Sequence, residues 1–78
     1  MSAVIKGTKF TGTVAKWFDY RGFGFVRRDS DGLEIFSHIS EVAEEFDALK
    51  VGQRVKFEVT ESERKPGHPN AIRIDVIN

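Results

Sequence analysis

The run Phe23-Gly24-Phe25-Val26-Arg27 admits few folds. In a β-strand successive side chains alternate between faces, so Phe23, Phe25 and Arg27 share one side and Gly24 and Val26 the other. Turning the rings inward would bury Arg27 with them, which is costly for an unpaired charge. The parity therefore predicts a sheet whose rings and cation face solvent. Gly24 suits the opposite side, because a residue without a side chain lets a sheet pack closely or kink. Val26 then joins Val14, Ile35, Val55, Phe57, Val59, Ile72 and Ile74 as the expected core.

The chain has 78 residues and no cysteine. That length predicts one domain with a marginal core, and the missing thiols exclude disulfides, thiolate metal sites and a cysteine nucleophile. No apolar run is long enough to span a bilayer, and residues 1–9 lack the apolar stretch of a signal peptide, so no membrane association and a cytoplasmic location are expected. Residues 1–8 read as a flexible arm and 9–78 as the folded domain. Strands are expected over 9–18, Phe23–Arg28, 33–38, Arg54–Glu61 and 71–77, the last with Ile72, Ile74 and Val76 inward. Val42, Phe46 and Leu49 recur at helical spacing after Ser40, which predicts a short helix or helical turn within 41–50. Residues 62–69 hold both prolines and a glycine and read as a mobile loop. The fold class is all-β: a five-stranded antiparallel Greek-key barrel of the OB type, with a short helical turn between strands 3 and 4.

Net charge is zero, but its distribution is uneven. Up to Arg28, Lys6, Lys9, Lys16, Arg21, Arg27 and Arg28 face Asp19 alone, for a local charge of +5. From Asp29 to Lys50 the balance is −6, and the remainder carries +1. The ring-rich stretch thus lies in the basic third, where a local field can steer a polyanion. Its candidate site residues are Lys16, Trp17, Phe18, Tyr20, Arg21, Phe23, Phe25 and Arg27, joined by Phe36 and His38 from the next strand. Arg28 adds a further cation to the set expected to track phosphates. An exposed ring patch on a small domain marks a binding surface, and rings interleaved with cations suit stacked bases joined by phosphates. Phe46 fits either the core, by its helical stripe, or the ligand surface. No His or carboxylate set stands at metal-ligand spacing, and no base stands beside a nucleophile, so neither a metal, a cofactor nor catalysis is expected.

These residues resemble the cold-shock domain. That family's Gly-x-Val-Lys-Trp-Phe-Asn is matched by Gly12-Thr13-Val14-Ala15-Lys16-Trp17-Phe18-Asp19, one residue longer between Gly and Lys. Its Lys-Gly-Phe-Gly-Phe-Ile appears as Arg21-Gly22-Phe23-Gly24-Phe25-Val26, and its Val-Phe-Val-His as Ile35-Phe36-Ser37-His38. The resemblance implies an OB-fold monomer that binds single-stranded RNA or DNA, often as an RNA chaperone. It implies stacking at Trp17, Phe23, Phe25, Phe36 and His38, in some members also at the position of Phe46, and a strand-holding role for Lys16. Departures are the turn 19–21, one residue short, Ser37 in place of an inward aliphatic, and Ile39 in place of a frequent aromatic. Glu41, Glu44 and Glu45 also bring acid near the end of the platform. The rival expectation is an OB-fold protein–protein interaction module using the same rings.

Overall fold

The computed structural model describes residues 9–61 and 69–77. Its strands are β1 (Phe10–Phe18), β2 (Phe23–Arg28), β3 (Glu34–His38), β4 (Arg54–Glu61) and β5 (Pro69–Val76), with a 3-10 turn at Ile39–Glu41. They close a barrel in the order β1-β2-β3-β5-β4. The expected five-stranded barrel is present, with β2 and β4 bounded as the alternation predicts. The proposed arm at 1–8 and most of the proposed loop at 62–69 lie outside the described residues.

β1, β2 and β3 form an antiparallel meander, and β4 pairs antiparallel with both β1 and β5. The barrel is sealed by a short parallel pairing, Phe36 opposite Asn70 and Ser37 opposite Ala71. Val14, Val26, Ile35, Val55, Phe57 and Ile74 fill the interior, closed off by Val42, Leu49 and Ala71. Ser37 sits among them fully buried, and its hydroxyl donates to the Ile35 carbonyl at 3.1 Å. The hydroxyl that replaces an aliphatic group is thereby satisfied within its own strand.

Two β-bulges reset the parity of the strands that carry them. On β1, Val14 pairs with Val26 but Lys16 pairs with Phe25, so Ala15 is an extra residue against β2. On β5, Asp75 pairs with Lys56 and Ile72 with Glu58, and Arg73 takes a left-handed φ of 51°. This second bulge corrects the expected inward set of β5. Ala71 and Ile74 are buried, whereas Ile72 is half-buried. On β4 Val55 and Phe57 point inward as expected, and Glu58, although on the other face, is buried between Lys9 at 2.7 Å and Arg73 at 3.8 Å.

A helical turn forms between β3 and β4 as expected, but helical backbone does not run through 41–50. The 3-10 turn lies just upstream, and it is capped by His38 rather than Ser40: the His38 imidazole accepts from the Ser40 N–H. Val42 is already extended and bridges Ile74, and the Ala43 N–H donates to the Ile74 carbonyl at 2.9 Å. Ten residues are too few to hold a helix without packing, and here the backbone bonds go to β5 instead. Val42 and Leu49 reach the core from irregular chain.

Candidate nucleic-acid interface

Directly paired residues in an antiparallel ladder share a face. Lys16 pairs with Phe25 and Phe18 with Phe23 across β1 and β2. Phe23 pairs with His38, Phe25 with Phe36 and Arg27 with Glu34 across β2 and β3. One wall of the barrel therefore carries Lys16, Phe18, Phe23, Phe25, Arg27, Glu34, Phe36 and His38. Its rings form a continuous row. Centroids lie 5.4 Å apart for Phe18–Phe23, 5.4 Å for Phe23–Phe36 and 6.0 Å for Phe36–Phe25. The tilted and edge-on packing is the favoured one for aromatic pairs, so the rings brace one another while staying accessible.

The cations border this row. The Lys16 ammonium and the Arg21 guanidinium each lie 6.0 Å from a ring centroid, of Phe25 and Phe23 respectively. Arg21 belongs to the tight turn at 19–22, where the N–H groups of Arg21 and Gly22 both donate to the Phe18 carbonyl. Gly22 has a φ of 69°, open to glycine without strain, and Tyr20 is fully exposed at the tip. His38 ends the row. Its Nδ1 accepts from the Ser40 N–H at 3.1 Å, so in the neutral ring the proton sits on Nε2.

Arg28 is committed elsewhere. Its guanidinium grips Asp31 with bonds of 3.1 and 2.7 Å and lies 4.8 Å from the Phe10 ring centroid. Arg54 likewise clasps Asp29 with both nitrogens. These partners hold the carboxyls of Asp29 and Asp31 down at about 2. Two acids of the negative middle segment are thus tied to arginines off the ring row. Glu34 is different: it stands on the ring wall, 3.7 Å from the Lys16 ammonium and 3.6 Å from the Arg27 guanidinium. In the sequence it shares parity with Phe36 and His38, and that signal was sufficient to place it there.

Trp17 is not on this wall. It pairs with Gly24 and shares that residue's face. A Cβ on Gly24 would lie 2.8 Å from the Trp17 Cα and 2.7 Å from its ring, so the indole occupies the space the glycine leaves. The ring is half-buried against the core, and its Nε1 has no hydrogen-bond partner among the described residues. With Asp19, Asp47, Leu49, Lys50 and Val51 it lines a shallow groove beside the wall. Phe46 also packs against the core. Unbroken alternation from inward Val14 would turn Trp17 outward and Phe18 inward; the bulge at Ala15 reverses both.

A closed five-stranded barrel with stacked rings and cations on its three-stranded wall is the architecture of a nucleic-acid-binding OB-fold. Known proteins narrow the class. The family described as the 'Cold-shock' DNA-binding domain matches residues 10–76. The chain is 39% identical over 69 residues to Cold shock protein CspV of Vibrio cholerae, covering 86% of this chain and 97% of that one. It is 50% identical over 52 residues to a cold shock-like protein CspA of Stigmatella aurantiaca, covering 64% and 75%. To Cold shock protein ScoF of Streptomyces coelicolor it is 39% identical over 62 residues, covering 77% and 91%. The chain belongs to the cold-shock domain family and is a nucleic-acid-binding protein of the cold-shock type.

Proposed function

We propose that this protein binds single-stranded RNA or DNA as a monomer, stacking bases on the ring wall, and melts weak secondary structure as an RNA chaperone without catalytic chemistry. The observation that carries this reading is the unbroken row Phe18–Phe23–Phe36–Phe25 with cations along its border. Flat apolar rings at this spacing offer successive faces to successive bases, and any base has a face to stack. Lys16, Arg21 and Arg27 meet phosphates, and His38 offers a ring and an Nε2 donor at the end of the row. Tyr20 extends the surface at the turn. Trp17 and Phe46 serve the flank, where the groove beside Trp17 takes a base at the end of the strand.

A duplex hides its base faces, so a protein that prefers the open strand shifts pairing toward melted forms by differential affinity alone. No nucleotide hydrolysis is required. Anisotropy of a labelled pyrimidine-rich oligonucleotide tests the reading. Phe25→Ala is expected to weaken binding about 5- to 150-fold, from about 1–3 kcal/mol per lost stack, with the melting temperature nearly unchanged. Normal binding by that variant would discard the ring wall as the site. An absence of any anisotropy change with the unaltered protein would favour docking of a protein partner instead.

A further inference from the structure

We infer that β5 is a two-register strand, with Arg73 as the hinge between a bulged and a straight pairing against β4. In the bulged pairing Asp75 stands opposite Lys56, but Ile72, Ala71 and Asn70 stand opposite Glu58, Val59 and Thr60. Arg73 and Ile74 together then face Phe57 alone. Among the described residues Arg73 is the one non-glycine with a positive φ, at 51°, a costly backbone region for such a side chain. The bulge turns Ala71 into the barrel and leaves Ile72 half-buried on the outer face, opposite Glu58. Yet Ile72, Ile74 and Val76 alternate without a break, the pattern of an unbulged strand.

Continuing the Lys56–Asp75 pairing without a bulge sets Arg73 opposite Glu58, Ile72 opposite Val59 and Ala71 opposite Thr60. Three changes favour that register. Arg73 returns to extended backbone. Its guanidinium, 3.8 Å from Glu58 in the bulged state, becomes the direct cross-strand partner of that carboxylate. Ile72 enters the barrel and leaves water. It would replace Ala71, whose neighbour across the β3 pairing is the small side chain of Ser37. Against it stands the displacement of packed neighbours by a larger side chain, which keeps the bulged register dominant. Ile74 stays fixed in both, because it bridges Val42 and its carbonyl accepts from the Ala43 N–H. The exchange is thus confined to residues 69–73. It also slides β5 by one residue along β3, so that Ala71 replaces Asn70 opposite Phe36.

Relaxation-dispersion NMR on the full chain detects a second register populated to about 0.1–10%. Exchange is expected at the amides of residues 69–73 and of Glu58, Val59 and Thr60 opposite them, with β2 flat. The chain has no cysteine, so a disulfide trap reports on register alone. Thr60 and Asn70 are directly paired, and T60C/N70C should bridge in the bulged register. T60C/A71C can bridge only in the straight one, because Ala71 otherwise points inward. Arg73→Gly accepts the left-handed φ without strain, so it should slow the T60C/A71C bridge by at least about fivefold and quench the dispersion. Ile72→Ala, which removes the side chain that the straight register buries, should also slow the bridge. Flat profiles at 69–73, or no T60C/A71C bridge, overturn the second register. A bridge that Ile72→Ala leaves unchanged or speeds overturns it as well, since that is the mark of global unfolding.

Discussion

Trp17 and Phe18 are chain neighbours with opposite surroundings. Phe18 is 44% exposed at the end of the ring row, whereas Trp17 leans on the core over Gly24. Phe18→Ala should therefore weaken single-strand binding about 5- to 150-fold, the effect of one lost stack. Trp17→Phe, which keeps an apolar ring in the flanking groove, should cost less. An anisotropy comparison that ranked them the other way would move the strand's path off the wall. Gly24 sets a tighter constraint: the Cβ of an alanine would press on the backbone of Trp17 itself, not on a side chain that can swing away. Gly24→Ala should lower stability by about 1–3 kcal/mol in urea unfolding, as overpacking does. Most of the wall was legible residue by residue, because Phe23, Phe25, Arg27, Phe36 and His38 alternate strictly. Glu34 follows the same rule, but a lone acid in a turn-rich acidic stretch reads as solvated surface.

At the level of elements, clean alternation made β2 and β4 legible to the residue, and the bulges show where that signal stops. A bulge at Ala15 or Arg73 leaves no mark in composition, yet each turns over the parity of everything beyond it. The helical turn expected between β3 and β4 is present at Ile39–Glu41, but helical backbone does not run on through 41–50, for a related reason. Val42 and Leu49 are core residues, but a helical spacing of core residues does not require helical backbone when a neighbouring strand can accept the hydrogen bonds. Elements here are also pinned by charge. The Arg54–Asp29 clasp, with Thr13 and Thr11 alongside, ties β4 and the β2–β3 turn to β1. The carboxyls of Asp29 and Asp31 lie at about 2 instead of the ordinary 3.8, chiefly through hydrogen bonds from Arg54 and Arg28. A carboxyl lowered in the native state stabilises it above the ordinary value, and that contribution fades as pH falls from about 4 through 2. Melting temperature followed over that window should fall less steeply for Asp29→Asn than for wild type; identical acid limbs would show that the clasp contributes nothing.

Taken whole, the molecule is electrically neutral and still presents a cationic border to its rings. Arginines 28 and 54 are spent on holding acids, which leaves Lys16, Arg21 and Arg27 as the proposed phosphate contacts. Three contacts on a single strand predict that log K falls against log salt with a slope of about −2. A slope near zero would leave stacking to act alone, and one beyond about −4 would require phosphate contacts outside the wall. Barrel closure and the identity of the wall were readable from strand count and parity. The path by which the strands reach that arrangement was not, and one consequence concerns how such chains are compared. Set against the family motif, the residue added between Gly12 and Lys16 is the one that β1 takes up as its bulge at Ala15. A gapless superposition of letters would set Lys16 against the family's tryptophan and Trp17 against its phenylalanine, scoring mutations where none has occurred. The bulge stores the extra residue, and beyond it Lys16 stands opposite Phe25, Trp17 opposite Gly24 and Phe18 opposite Phe23.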